Sequence, residues 1–317
     1  MTREMRFSIR EKDAGKALSA FLAARFTYHT DEEWSRLIAE GRVTVNGRRP
    51  GADAPLCVGD VLGYDASGIP EPPVDLSVET VLDDPLLLAV NKPGNLPCHP
   101  GGRYFNHTLW AWVKERAGLE NPVLINRIDR ETSGLVLIAK TPEAAHNLWR
   151  QFSTHKVVKR YTVFVEGLFP ERLEAKGWLV PDRASVIRKK RRFVPCESEG
   201  PQLEPEAEWA ETVFERERVC EGFCVVRALP RTGRLHQIRA TLLSSGFPVV
   251  GDKMYGVDEG LFLRFCTDEL SGLDWERLRL RRQALHAAFL GFRHPKYGAK
   301  TELEVVLPDD MARLLTS

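Results

Sequence analysis

Residues 134–139 read Gly-Leu-Val-Leu-Ile-Ala, with no polar side chain to face water on either side. A strand with one wet face alternates in polarity, whereas an unbroken apolar run of this length fits a strand covered on both faces. Such a strand needs a sheet with further layers above and below it, so the chain around it must fold as layered α and β structure. Directly before it stands Asn126-Arg127-Ile128-Asp129-Arg130-Glu131-Thr132-Ser133, a polar loop that puts an acid between two arginines at the edge of that sheet. Guanidinium charge on both sides favours the ionised form of Asp129, and an ionised carboxylate can act as a nucleophile or as a base.

Other segments supply the layers. An apolar run at 86–90 ends at Asn91-Lys92-Pro93-Gly94, a strand delivering the chain to a turn. Thr141-Pro142 opens a helix bearing Ala145, Leu148, Trp149 and Phe152. Residues 161–165 and 223–229 alternate as strands, and Leu235, Ile238 and Leu242 mark a helix that ends before Gly246. Residues 285–292 read as a central strand and 303–307 as a last one. Strands and helices do not alternate as regular βαβ units, so the fold class is α+β rather than a doubly wound sheet.

The N-terminal part has a different grain. Leu18, Phe21, Leu22 and Phe26 recur at helical spacing within residues 14–26, and residues 30–33 form a capping box opening a second helix with Trp34, Leu37 and Ile38. Gly41 stands where that helix should stop. Val43 and Val45 then lead to an Asn46-Gly47 turn, with a short return strand expected to end near Gly59-Asp60-Val61. The expected organisation is a small domain over residues 1–65, a linker over 66–79 containing Pro70, Pro72 and Pro73, and a larger domain over 80–317.

Composition narrows the function. Among 317 residues the net charge is only +1, so any nucleic-acid surface must come from local clustering. The run Arg188-Lys189-Lys190-Arg191-Arg192 is one such cluster, although Glu197, Glu199, Glu204, Glu206 and Glu208 follow it, and a solvated loop fits as well as a phosphate contact. The six cysteines include no C-x-x-C pair, and Cys220 and Cys224 lack a second pair at finger-like spacing, which predicts reduced thiols and no metal site. No apolar stretch approaches a membrane span and residues 1–10 carry no apolar leader, so a cytoplasmic protein without a membrane partner is expected.

Two resemblances sharpen this reading. The stretch Leu37-Ile38-Ala39-Glu40-Gly41-Arg42-Val43-Thr44-Val45-Asn46-Gly47, followed by Val58-Gly59-Asp60, resembles the small RNA-binding domain found in a ribosomal small-subunit protein and attached to many RNA-modifying enzymes. It departs from that family at Thr30-Asp31-Glu32-Glu33, which is acidic where basic or hydroxyl residues are usual. Five further motifs occur in order: Asn91-Lys92-Pro93-Gly94, the Asp129 loop, Lys159-Arg160-Tyr161, Thr232-Gly233-Arg234-Leu235-His236-Gln237-Ile238-Arg239 with Gly251-Asp252, and Arg282-Gln283-Ala284-Leu285-His286-Ala287. That series resembles the catalytic domain of RluA-type pseudouridine synthases, and it spans about residues 84–307.

The resemblance implies a mixed, largely antiparallel central sheet flanked by helices, and an enzyme that isomerises uridine in RNA. It implies that Asp129 is the catalytic aspartate, with Asn126 standing where histidine is commoner. Tyr161 matches the active-site tyrosine, Arg127 a residue implicated in base flipping, and Arg239 the basic partner of the aspartate; Arg234 is a second candidate for that pairing. Arg234, His236, Gln237, Asn91 and Lys92 join the expected substrate contacts, although by setting alone His236 and His286 read as core histidines. Pseudouridine formation breaks the glycosidic C–N bond, turns the uracil and rejoins it through carbon. A carboxylate could attack the sugar carbon or remove a sugar proton; either way no redox cofactor or metal is called for. The target base must leave its stack to be reached. Ribosomal RNA of the large subunit is the expected partner, with tRNA the alternative, and the chain is expected to act as a monomer.

Overall fold

The computed structural model describes residues 4–26, 28–200 and 202–316. The chain forms two compact units, one of Met1–Pro73 with His99–Ala111, the other of Val74–Cys98 with Trp112–Ser317.

In the first unit, β1 (Glu4–Ser8), β3 (Val61–Asp65) and β2 (Val43–Val45) form an antiparallel sheet in that order. It is covered by α1 (Leu18–Arg25) and α2 (Asp31–Ala39), which bury Leu18, Phe21, Leu22, Trp34, Leu37 and Ile38. The capping box forms: Glu33 N–H donates to Thr30 Oγ1 at 3.2 Å and Thr30 N–H to the Glu33 carboxylate at 2.9 Å. Asn46 and Gly47 both take positive φ, 51° and 75°, as a tight turn demands. The return strand, however, begins rather than ends at Val61. Asn46 explains the detour: its amide donates to Asp60 at 2.8 Å and accepts from Val61 N–H at 2.9 Å, tying the turn to the far end of the loop. The Pro-rich segment is engaged too, since the Glu71 carboxylate accepts the backbone N–H groups of Phe105, Asn106 and His107 at 2.7–3.0 Å. That capture explains why residues 99–111 group with this unit, which nothing in the sequence suggests. Helix α3 (Leu109–Arg116) begins there and runs on into the second unit's sequence.

The second unit is built on one eleven-stranded sheet. Its strands are β4 (Glu79–Asp83), β5 (Leu87–Lys92), β6 (Val123–Leu124), β7 (Ser133–Ala139), β8 (Val158–Glu166), β9 (Arg172–Pro181), β10 (Arg191–Pro195), β11 (Glu208–Cys220), β12 (Phe223–Pro230), β13 (Leu285–Arg293) and β14 (Lys300–Glu304). The order is β10-β9-β11-β12-β8-β13-β7-β5-β4, with β14 beside β13 and β6 beside β7. Every pairing is antiparallel except β7 with β13, which run parallel with Gly134 opposite Ala287. The α+β expectation of a mixed, mostly antiparallel sheet flanked by helices therefore holds.

Alternation along the strands sorts residues into layers. Val163 and Val165 of β8 pack with Ile238, Ala240 and Leu242 of α5 (Gln237–Ser244), whereas Phe164 packs on the cluster containing Met311 of α8 (Asp309–Leu314). Leu135, Leu137 and Ala139 of β7 meet Ala144, Ala145 and Leu148 of α4 (Pro142–Ser153). All seven residues of β7 are buried, as its composition requires. The last strand lies earlier than residues 303–307: the turn after His294, closed by His294 N–H to Ala299 O at 2.8 Å, starts the pairing at Lys300, and Val306 is left 84% exposed. Helices α6 (Gly260–Cys266) and α7 (Gly272–Leu278) complete the unit.

Candidate active site

The parallel pair decides where chemistry can sit. Two parallel neighbours bring the loops before them to the same edge of the sheet, so the Asp129 loop preceding β7 meets Arg282 and Gln283 preceding β13. Gly134 makes that approach feasible. Its φ is +114°, and a Cβ there would lie 2.3 Å from the Ala287 carbonyl oxygen, so only glycine fits.

The loop itself is held along its backbone. Asn126 donates from its amide to Leu135 O at 3.1 Å and accepts Leu137 N–H at 2.8 Å, continuing the ladder of β7 with a side chain. The carbonyls of 128–131 are all engaged: Ile128 by the Cys98 thiol, Asp129 by Thr132 N–H, Arg130 by Lys92 and Leu96 N–H, and Glu131 by Arg282. Lys92 is fully buried, and its ammonium donates to Pro93 O at 2.8 Å and Arg130 O at 3.2 Å. Burial lowers its pKa to about 8.

On this base the Asp129 side chain stands 26% exposed. Its Oδ2 accepts from Arg239 Nη1 at 2.7 Å and from Gln283 Nε2 at 3.3 Å. Its Oδ1 accepts no hydrogen bond among the described residues and has His236 Nε2 at 3.8 Å. Burial pulls the Asp129 pKa upward, but Arg239, His236 and the two hydrogen bonds outweigh it and leave the carboxyl below its ordinary value. Arg239 is fixed in turn. Its Nε and Nη2 form a fork on Asp252 at 2.5 and 2.9 Å, and its guanidinium lies 4.8 Å from the Tyr255 ring centre. Asp252 also accepts the N–H groups of Met254 and Tyr255.

Tyr161 lies on β8 between Ala228 and Ala287, packed against the core that α5 covers. Burial first, and then the nearby Asp129 carboxylate, hold its phenol well above the ordinary tyrosine pKa, so it stays neutral. Asp129, Arg239, Tyr161 and His236 thus converge. Arg127 is exposed and has no hydrogen-bond or ion-pair partner among the described residues.

Four expected substrate contacts are placed elsewhere. Arg234 donates to Trp209 O at 3.1 Å and leaves the ion pair to Arg239. Gln237 spends its amide on Thr232, Arg234 N–H, Glu211 O and Thr212, stapling the start of α5. Asn91 donates to Glu79 at 2.9 Å, and Lys92 faces inward as described. His286 is a core residue, 1% exposed and bonded to Ser133 at 2.9 Å. Gln283 and Tyr255 were not among the expected site residues. Gln283 lay within a quoted motif, whereas Tyr255 carries no local signal.

Comparison with known proteins identifies the family. The model of the RNA pseudouridylate synthase family matches residues 86–244. The Uncharacterized RNA pseudouridine synthase YlyB of Bacillus subtilis is 30% identical over 325 residues, covering 96% of this chain and 95% of that one. The Ribosomal large subunit pseudouridine synthase D of Zymomonas mobilis is 32% identical over 250 residues, 76% of this chain and 73% of its own. Among solved structures, Human RNA Pseudouridylate Synthase Domain Containing 4 superposes with a TM-score of 0.57 at 24% identity, over 75% of this chain and 92% of that one, a likeness of fold. The chain belongs to the RNA pseudouridylate synthase family, whose members are isomerases. No helix among the described residues is long and apolar enough to cross a membrane.

Proposed function

We propose that this enzyme converts uridine to pseudouridine in large-subunit ribosomal RNA, with Asp129 as the reacting carboxylate. The observation that carries the chemistry is the asymmetry of Asp129: Oδ2 is held by Arg239 and Gln283, while Oδ1 is unbonded on a partly exposed side chain. An ionised, anchored carboxylate with one free oxygen is suited to attack a sugar carbon or to take a sugar proton. Tyr161, neutral and beside it, offers a ring face for the uracil, and Arg127 can fill the stack that the base leaves. The reaction conserves every atom and electron, so the reading assigns no cofactor or metal and takes the chain to act as a monomer in the cytoplasm. The ribosomal target is supported by the relative from Zymomonas mobilis, whose name states that substrate.

The test is tritium release from RNA labelled at uracil C5, the carbon that becomes glycosidic. Large-subunit rRNA and tRNA from cells lacking the gene would be assayed separately. Release from rRNA without free uracil, and none with Asp129→Asn, is the expected result. Release from tRNA alone would move the target to tRNA, and free uracil would make the enzyme a hydrolase.

A further inference from the structure

Tyr255 is fully buried three residues after Asp252, and its hydroxyl joins two elements. It accepts the backbone N–H of Arg191, at the start of β10, at 2.9 Å, and lies 2.9 Å from His236 Nδ1. The two rings meet edge to face with centroids 5.4 Å apart. His236 has left-handed backbone dihedrals, φ 56°, uncommon for a residue with a side chain, and this conformation aims Nε2 at the open oxygen of Asp129, 3.8 Å away.

The hydrogen bonds of the phenol determine the tautomer. A tyrosine hydroxyl has one proton to give and two lone pairs. One lone pair takes the Arg191 N–H. Among the described residues the phenol proton has no acceptor except His236 Nδ1, and a buried O–H left unbonded is unfavourable. Donation to Nδ1 requires that nitrogen to be bare, which puts the ring proton on Nε2, facing Asp129. The imidazole is also neutral. Burial first, then the Arg239 cation, lower its pKa to about 4, with Lys189 acting in the same sense and Asp129 and Asp252 opposing.

We propose that Tyr255 is a positioning residue that fixes His236 as a neutral Nε2–H donor beside Oδ1 of Asp129, there to hydrogen-bond an oxygen of the target nucleotide. The 3.8 Å gap is too long for a hydrogen bond, and an incoming ribose or uracil oxygen would accept the Nε2–H in its place. His236 then holds the nucleotide against the carboxylate and does not compete with it as a base. This assignment of role rests on the uridine-isomerising reading; the placement of the proton does not.

The experiment is nitrogen NMR of the full chain with labelled histidine at pH 7, with His236 identified by its loss in His236→Gln. The expected spectrum has Nδ1 bare and Nε2 protonated. Tyr255→Phe keeps the ring over Arg239 and removes the hydroxyl, which is both the donor to His236 and the acceptor of Arg191 N–H; His236 should then populate both tautomers, and kcat should fall about tenfold while KM for RNA stays within about twofold. An Nδ1-protonated or charged ring in the native chain would overturn the proposal. So would a Tyr255→Phe variant whose tautomer and kcat are both unchanged. A purely structural Tyr255 would lower Tm and leave the tautomer alone. If the native tautomer is as expected yet no RNA releases tritium, the functional reading has failed and the proton placement stands.

Discussion

Asp129 and Glu131 leave one loop two residues apart, and their surroundings differ in kind. Among the described residues Asp129 is hydrogen-bonded to one cation, Arg239, already half committed to Asp252, and one carboxylate oxygen stays open. Around Glu131 both oxygens are used: Lys253 donates to each at 3.0 and 3.1 Å, Arg130 adds a bond at 3.0 Å, and Gln283 N–H approaches at 3.4 Å. Lys253 is itself 3% exposed, lies 4.7 Å from the Phe265 ring centre, and donates to Arg281 O, so Glu131 fastens the loop to the segment carrying α6 and α7. Saturation leaves Glu131 no open oxygen, whereas Asp129 keeps one for a ligand. Glycoside hydrolysis ordinarily needs two working carboxylates; here one of the two is tied down.

That contrast can be broken most directly by neutralising each acid. Asp129→Asn should abolish tritium release while leaving thermal unfolding nearly intact; Glu131→Gln should lower Tm, by about 2–3 kcal/mol of stability, and reduce turnover only about tenfold. Equal loss of activity in both would erase the distinction. Arg239→Met removes the cation shared by Asp129 and buried Asp252, and leaving a buried charge unpaired costs about 3–5 kcal/mol, so Tm should drop on the order of 10 °C and activity with it.

A third effect is smaller and depends on pH. His236 and His286 both have pKa values lowered from 6.5 to about 4, chiefly by burial. A depressed pKa in the folded state means that their contribution to stability is complete above pH 6.5 and is lost as pH falls toward 4. From these two groups Tm should therefore be level between pH 6.5 and about 7.5 and decline below 6.5, and His286→Asn should shallow that decline. Asp129, held below its ordinary value, adds a further loss only at lower pH. The smallest expected change is in RNA binding. Arg127 and Lys189 are exposed, and Arg127→Ala or Lys189→Ala should each reduce the slope of log affinity against log salt by about one, with kcat at saturating RNA unchanged for Lys189→Ala.

Much of this was legible in the sequence, for identifiable reasons. The run at 134–139 announced its burial because an apolar strand has no other stable place. The capping box at Thr30 and Glu33 is local chemistry and formed as read. Asp129 and Arg239 were expected as a pair, although only the fold could choose Arg239 over Arg234, since the bond spans 110 residues of sequence. Sequence could not foresee the protein partners of Lys92, Asn91 and Gln237, because a polar side chain in a motif looks the same whether it serves substrate or other protein groups. The strands β9, β10 and β11 were missed where charge interrupts their alternation. The basic run turned out divided: Lys190 is buried on Glu259 at 2.6 Å, and Arg191 opens a strand.

The seam at Gly134 has a consequence for reading variants. Asp129 hangs from one side of it and Gln283 from the other, so the width of that seam sets the spacing between the two. A methyl group at position 134 would reach no substrate and alter no charge. It would wedge two backbones apart, and the damage would surface as lost turnover in a protein whose chemical groups are all present, a lesion easily misfiled as misfolding.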